Sequence, residues 1–497
     1  MKKSPLTIIA AAALLTMISG VAGAAPLTAT APVQVSPTNS PYPSTCNGVS
    51  TQVGTLFPGT EVEPTGAVNP ANPLNVIAGW QQDRWSNGGS NGTPVAYSTD
   101  GGTTWSSPAV QPPFTRCAGG TAANGGDYER ASDPWISIGP TGTAYYMSLA
   151  IDVAQDNNNA MLVSRSVDGG AKWGPILTLR RDTSLNVLND KNSLTADPAN
   201  ANYAYAVWDR LEFPNANAAR QAGENAIGYR GPTWFTRTTD GGVSWEAARM
   251  IFDPGEINQT IGNQIVVTAD GTLVDGFNLI YNVKNAHKVR GEHVAVLRSA
   301  DQGVTWDAKA TLVDDLASIG VTDPTTGAPV RTGDIIPEIA VAPETNTVYI
   351  AWQDARATGG ARDQIAFARS TDAGRTWQTV SLAINAVHST QAFNPQIRVL
   401  HDGTIGVLYN DFRYDTAAAP LTTSTWLAHS HDGGQTWTET QIGDNYDMTG
   451  APIARGYFLG DYDALGAAGT TFTPIFPQTT TSGQPAADNI YAATATP

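Results

Sequence analysis

The stretch STDGGTTW at 98–105 is the first of six near-copies in this chain. SVDGGAKW follows at 166–173, TTDGGVSW at 238–245, SADQGVTW at 299–306, STDAGRTW at 370–377 and SHDGGQTW at 430–437. Their aspartates are Asp100, Asp168, Asp240, Asp301, Asp372 and Asp432. They recur about every 60–72 residues, a period that belongs to repeat architectures.

The same signals surround each copy in the same order. A short apolar strand (WISIG 135–139, PEIAVA 337–342, PQIRVL 395–400) meets a tight turn (PTGT 140–143, HDGT 401–404). A second strand (AYYMSLA 144–150, TVYIAWQD 347–354, IGVLYND 405–411) runs into a connector of variable length. A third strand (HVAVLRS 293–299, QIAFARS 364–370) ends at the repeated turn, which reverses into a fourth. β-branched enrichment without a sustained 3.6-residue period predicts an all-β chain. Four antiparallel strands per repeat predict a β-propeller of four-stranded blades. Six turns give six blades. Residues 455–494 add three strands without the turn, and 48–57 can supply a fourth, so seven blades are favoured over six.

The repeated turn has a mechanical reading. In Asp-x-Gly-x-x-Trp the carboxylate accepts N–H groups of its own turn. The glycine permits positive φ, and the Trp supplies a large apolar body to pack on the blade. The motif is a hairpin clamp, and its aspartates are not assigned chemistry. The pattern S/T-x-D-G-G-x-T-W resembles the Asp-box, or BNR repeat, of the sialidase superfamily, over residues from about 50 to 495. The resemblance implies a propeller. It also implies three arginines on a substrate carboxylate, a Tyr–Glu nucleophile pair and an Asp acid/base. The family's first arginine lies in an F/Y-R-I-P motif, where this chain has TEVEPTGAV at 60–68. Similar boxes occur in other glycosidases, in lyases and in non-enzymatic propellers, so function must be read from the site.

Strand polarity separates two faces. The first-to-second turns and the boxes share one face. The long connectors 117–133, 211–231 and 314–334 share the other, where a site is expected near the axis. Two polar rings converge there. The ends of second strands carry Asp83-Arg84, Asp209-Arg210, Asp354 with Arg356, and Asp411 with Arg413; a salt-bridging loop cap is the competing explanation for that pattern. The starts of first strands carry Glu63, Arg130 with Asp133, Asp190 with Lys191, Asn263, Asp334, Asn394 and Asp461-Tyr462. From these rings the catalytic candidates are Asp133, Asp190, Asp461 and Tyr462. The substrate-binding candidates are Arg84, Arg130, Lys191, Arg210, Asp334, Arg356 and Arg413. Arg331 and Arg455 are further cations that can join a pocket. His287 and His293 lie in a connector on the same face. His429 and His431 lie beside a box on the other.

Residues 1–24 read as a secretory signal: Lys2 and Lys3, an apolar stretch Leu6 to Ile18, then Ala22-Gly23-Ala24. Cleavage would start the chain near Ala25. Residues 25–45, rich in Pro, Thr, Ser and Ala, read as a linker, and 46–497 as the propeller. The net charge of −16 argues against a nucleic-acid partner. The two cysteines, Cys46 and Cys117, are expected to form a disulfide in an oxidising compartment, pinning the N-terminal arm to the propeller. No metal site is expected: a Ca²⁺ in the axial channel would have no supporting ligand motif. No transmembrane segment is expected, and the chain is read as a monomer.

Together these readings predict a secreted, sialidase-like glycoside hydrolase acting on extracellular glycans, with anionic sugars among its candidates. The alternatives are a non-catalytic carbohydrate-binding or adhesion propeller and a polysaccharide lyase.

Overall fold

The computed structural model describes residues 25–43, 45–46, 53–106, 109, 112–153, 158–222, 228–281, 291–419, 421–481, 483 and 485–497. The 1–24 leader, residues 48–52 and His287 lie outside them.

Second strands show why the chain folds as stacked sheets. Leu273–Ile280, Val348–Asp354 and Ile405–Asp411 are buried at every position. A strand inside a sheet that is covered on both faces needs a continuous apolar run, not an alternating one. Each sheet is covered by its neighbours: Tyr349 and Phe367 of one pack against Ile397, Val407, Tyr409 and Trp426 of the next.

The strands pair antiparallel in chain order. Val187–Ala196, Ala204–Glu212, Thr233–Thr238 and Arg249–Phe252 make one four-stranded sheet. Gln259–Val267, Leu273–Ile280, Glu292–Ser299 and Thr311–Asp315 make another, and two more begin at Glu338 and Ala392. Two N-terminal groups, starting at Leu56 and Arg130, merge into one sheet through the short strand Ser90–Gly92. The first strands pack side by side around an axis: Leu56–Val68, Arg130–Ile138, Val187–Ala196, Gln259–Val267, Glu338–Val341, Ala392–Val399 and Ala464–Ala468. The last of these contacts the first, so the ring is closed.

Closure uses the arm read as a linker, which corrects that expectation. Thr28–Ala29 pair with Ala495–Thr496, and Val33–Gln34 pair with Tyr491–Ala492. The outer strand of the last sheet is therefore 33–34, not 48–57. Leu56 and Phe57 of that stretch instead open the first inner strand. The Cys46–Cys117 disulfide is formed.

The boxes are the clamps the motif suggests. Ser299 Oγ donates to Asp301 Oδ1 at 2.8 Å, and the N–H of Gly303 donates back to Ser299 Oγ at 2.8 Å. Thr305 donates to Asp301 through both its N–H and its hydroxyl, at 2.8 and 2.6 Å. These bonds, led by the Thr305 hydroxyl, lower the Asp301 carboxyl to about 2. Asp240 is lowered to about 2 by the equivalent bonds from Ser244.

Four of the boxes also staple two sheets. An arginine three residues before one box aspartate donates to the carbonyl just after the aspartate of the next box. Arg165 reaches Gly241 O at 2.9 Å, Arg298 reaches Ala373 O at 2.8 Å and Arg369 reaches Gly433 O at 3.3 Å. The box glycine faces the preceding sheet at close range. A Cβ on Gly434 would lie 2.2 Å from the Phe367 ring, and one on Gly242 would lie 2.5 Å from Tyr145.

The clamp can be tested in two ways. Gly434 and Gly403 share φ +89, but only Gly434 faces a neighbour within 4 Å. Gly403→Ala should cost about 1–2 kcal/mol, the left-handed penalty alone. Gly434→Ala should cost about 1–3 kcal/mol more in denaturant unfolding, because it also overpacks the inter-sheet contact. The lowered box carboxyls stabilise the fold only while ionised. Stability should be fully present above the unfolded aspartate value of about 3.9 and fall as pH drops toward 2. A thermal-melt series across that window checks this, and a box variant such as Asp301→Asn should flatten the slope.

Candidate functional site

The site begins with a local irregularity in the inner strands. Pairing with the second strand slips between Val62 and Thr65, Ser132 and Trp135, Asp190 and Ser193, Ile261 and Gln264, and Phe393 and Gln396. Each slip is a β-bulge, which frees a residue from the ladder and re-aims its side chain. Glu63, Asp133, Lys191 and Asn394 occupy four of the bulges at φ 51, 49, 42 and 51°; Gly262 occupies the fifth. Left-handed backbone at a non-glycine costs about 1–2 kcal/mol per residue, so the surrounding fold must enforce it. Pro64, Pro134 and Pro395 follow three of these residues. A proline cannot donate to a ladder, and a bulge is where a strand tolerates one.

The bulged side chains meet at Lys191. Its ammonium lies 2.6 Å from Asp461 Oδ2, 3.6 Å from Asp133 Oδ1 and 3.7 Å from Glu63 Oε1. Burial alone would lower the lysine; the carboxylates of Asp133, Asp461, Glu63 and Asp190 outweigh it and hold the group charged, well above the usual range. Arg331 forks onto Asp461 at 3.0 and 2.8 Å. Burial opposes ionisation of Asp461, but Arg331 and Lys191 keep its carboxyl far below the ordinary aspartate value. Glu63 is buried and pushed up to about 8 by desolvation, with the Lys191 charge opposing the shift. Gln81 donates to Glu63 and, at 3.1 Å, to Ser132 Oγ.

Asp133 and Asp190 share one donor. The backbone N–H of Lys191 points at Asp133 Oδ2 at 3.1 Å and at Asp190 Oδ1 at 3.0 Å. Asp133 is buried, while Asp190 is partly buried. Desolvation, then the Asp133 charge, raises Asp190 to about 7. A carboxyl that keeps its proton near neutrality beside another carboxyl is the arrangement of a general acid with its partner.

A strap lies against this cluster. Val321–Thr322 and Pro329–Arg331 form a hairpin in the 314–334 connector, and 330–331 pair in parallel with Tyr457–Phe458. This pairing carries Arg331 to Asp461. Asn394 ties the strap down: it accepts from the N–H of Gly333 at 2.9 Å and donates to Gly460 O at 2.9 Å. Asp334, half-buried just beyond the strap, is raised to about 6 by desolvation and then by the Asp461 charge.

Two family models match stretches of the chain. A BNR repeat-like domain model matches residues 231–451, and a BNR/Asp-box repeat model matches residues 96–107. The chain is an Asp-box β-propeller. Its solved likenesses include a Hadza microbial sialidase, Hz136, at 15% identity and TM-score 0.47, covering 86% of this chain and 74% of that one. An α-L-arabinanase from Penicillium chrysogenum, complexed with arabinobiose, aligns at 12% identity and TM-score 0.46, covering 94% and 98%. A protein of unknown function from Dyadobacter fermentans aligns at 11% and 0.47, covering 95% and 99%. No curated protein matches the chain.

The propeller brings some of the sequence candidates together and disperses others. Asp133, Asp190, Lys191, Asp461 and Tyr462 converge, with Asp334 at the rim. Tyr462 packs against Trp135 at 5.7 Å, its hydroxyl reaches Pro134 O at 3.4 Å, and burial holds it well above 10. It is not an activated nucleophile. Arg84 is buried between Gln81 and Gly89 O and lies 4.9 Å from the Phe458 ring. Arg130 is buried under Trp85 and donates to Asn87, Gly88 and Val53. Arg210 bridges Asp182 and Glu212, Arg356 bridges Asp354 and Asp314, and Arg413 bridges Asp411 and Glu439. In Arg356 and Arg413 the backbone N–H also donates to the aspartate two residues back, which is a loop cap. These positions are structural in the propeller and correct their assignment to substrate. His293 pairs with the exposed Asp315. His431 contacts Thr404 on the box face, and His429 is buried beside it.

Arg331 and Glu63 join the cluster; the sequence marked Arg331 only as a further pocket cation and Glu63 only as a member of the inner polar ring, with no catalytic role. Arg331 meets a residue 130 positions away, and no local pattern announces that. The acid-Pro pairs Glu63-Pro64 and Asp133-Pro134, interrupting strand patterns, are the legible signal for the bulges. Among the described residues, no three His, Cys, Asp or Glu side chains converge as metal ligands, and no helix is long and apolar enough to cross a membrane.

Removing the central charge should be costly. Lys191→Met leaves Asp133 and Asp461 buried with their main counter-ion gone, and should destabilise the propeller by about 3–5 kcal/mol in denaturant unfolding. Arg210→Met, at a half-buried loop bridge, should cost about 1 kcal/mol or less.

Proposed function

We propose that this propeller is a glycan-acting enzyme whose funnel hydrolyses a glycosidic bond, with Asp190 as general acid and Asp133 as the partner carboxylate. The observation that carries the reading is their shared donor. Two carboxyls within hydrogen-bond reach of the Lys191 N–H lie no more than about 6 Å apart, inside the span that glycoside hydrolysis uses. Asp190 would protonate the leaving oxygen from its partly buried position. Asp133, backed by the Lys191 ammonium, would face the sugar carbon. Asp461 is saturated by two cations and serves to hold Lys191 and Arg331.

The family's tyrosine-nucleophile pattern is not supported, since the Tyr462 hydroxyl is buried and bonded to a backbone carbonyl. A non-catalytic glycan-binding propeller is the second reading, favoured by the burial of Asp133 at 2% exposure. We also propose that the sheets count as seven blades and that the protein is exported as a monomer. Removal of 1–24 would leave Ala25 at the start of the arm that closes the ring.

The test is hydrolysis of a panel of fluorogenic glycosides by the parent protein and two variants. Asp190→Asn should lower kcat/KM on poor leaving groups by about 10²-fold or more. Asp133→Asn should do at least as much. Because Asp190 must be protonated to act, the parent's activity should fall as pH rises through about 7. A parent that turns over nothing, yet binds glycans equally well with and without Asp190→Asn, would move the assignment to the binding reading.

A further inference from the structure

Hydrolysis as proposed above asks Asp133 to act as the acceptor partner of Asp190. Three buried side chains beside Asp133 arrange this, and none of them has a role so far. Gln81 lies on the second strand of the first sheet, paired with Val62. Its carboxamide is enclosed by Arg84, Glu63 and Ser132. Arg84 Nη1 donates to Gln81 Oε1 at 3.1 Å and to Gly89 O at 3.2 Å. A guanidinium carries donors only, so it takes the oxygen end of the amide. The amide nitrogen is thereby turned to the cluster, where it donates to Glu63 Oε2 and, at 3.1 Å, to Ser132 Oγ.

The direction of the next bond follows from the last. Ser132 has one hydroxyl hydrogen, and its oxygen already accepts from Gln81. That hydrogen goes to Asp133 Oδ1, at 3.1 Å. Asp133 Oδ2 accepts the Lys191 backbone N–H, also at 3.1 Å. One donor therefore reaches each oxygen, and each keeps a second lone pair for water or a sugar carbon. Two donors aimed at one carboxyl suit a carboxylate better than a neutral acid. They also fix the plane of the group, which a nucleophile or general base requires.

We propose that Gln81 is a positioning residue for the reaction: with its amide polarity set by Arg84, it directs the Ser132 hydroxyl onto Asp133 and orients that carboxylate as the acceptor of the pair. The inference rests on the hydrolase reading for its catalytic meaning, and on the bond directions alone for its structure. Arg84, a substrate-binding candidate by sequence, then serves the site at one remove, as the group that decides which way round the amide stands.

Three variants test this on the fluorogenic glycoside that the parent cleaves best. Ser132→Ala removes the relayed hydrogen. Gln81→Glu keeps the shape and the Arg84 bond but puts an oxygen where the nitrogen stood, which draws the Ser132 hydrogen away from Asp133. Ser132→Thr keeps the hydroxyl. Ser132→Ala and Gln81→Glu should each lower kcat about tenfold and leave KM within about twofold of the parent. The acid limb of kcat/KM should move to higher pH, by up to about one unit, because the carboxylate has lost a donor. Ser132→Thr should keep the parent's acid limb. Ser132→Ala alone decides if Gln81→Glu does not fold. A folded Ser132→Ala protein with the parent's kcat and acid limb, or with KM alone altered, would overturn the proposal and leave the hydrolase reading standing. A parent that cleaves nothing sinks the hydrolase reading, and the bond directions are then judged by unfolding. The Ser132→Ala loss in denaturant midpoint should shrink as pH falls through about 4, where an aspartate takes up a proton and needs the hydroxyl less. A loss that does not change with pH would overturn the relay as well.

Discussion

One ammonium holds the inner ends of the ring in place. Glu63, Asp133 and Lys191 come from three successive inner strands and Asp461 from just before the last one, and they meet near the axis. Three carboxylates converging in a low-dielectric funnel would drive those strands apart if nothing neutralised them. Lys191 supplies the charge at the centre, and Arg331 adds a second on the outer side of Asp461. The strap that brings Arg331 is itself anchored by Asn394, another bulge residue. The bulges, the strap and the ion cluster therefore form one unit, in which the strained backbone at Lys191 and its neighbours is held by the same contacts that make the site.

The opposite face works by a different constraint, and that constraint explains why the fold was legible. Box turns must satisfy three demands at once: an aspartate to bond its own hairpin, a glycine that turns left-handed, and no side chain where the preceding sheet comes within 2.2–2.5 Å at Gly434 and Gly242. All three are local, so they repeat visibly in the chain. The stapling arginines at Arg165, Arg237, Arg298 and Arg369 stand three residues before the aspartate in four of the six copies, and extend the motif by a position whose role shows only when two sheets are seen together.

The site was legible only in part, for the converse reason. Position along the first strands placed Asp133, Asp190, Lys191 and Asp461 near one axis, and the structure joins them. Proximity in the ring follows from strand order, which the repeats disclose. Pairing across the ring does not: Arg331 could have met any rim carboxylate, and the D-x-R arginines could have faced either the funnel or their own loop. For Arg356 and Arg413 the loop won because an aspartate two residues back offers both a backbone and a side-chain bond at no cost in ordering a distant partner. The 25–45 arm was misread because its composition resembles a tether, whereas its two short strands are stabilised by partners at the far end of the chain, Tyr491–Ala492 and Ala495–Thr496.

The two faces also show why residue type alone could not assign roles. Aspartates dominate both. At the boxes Asp240 and Asp301 are bathed in donors and water, and their carboxyls drop to about 2. In the funnel Asp190 is partly withdrawn from water, with one backbone donor and another carboxylate beside it, and it rises to about 7. A lowered carboxylate held by its own turn has no proton to give near neutrality. A raised, partly exposed one has both the proton and the access. Chemistry belongs on the face where acids are crowded and under-solvated, and the six conspicuous aspartates of the repeat are inert for the reason that makes them conspicuous: their neighbours recur because they are fully used.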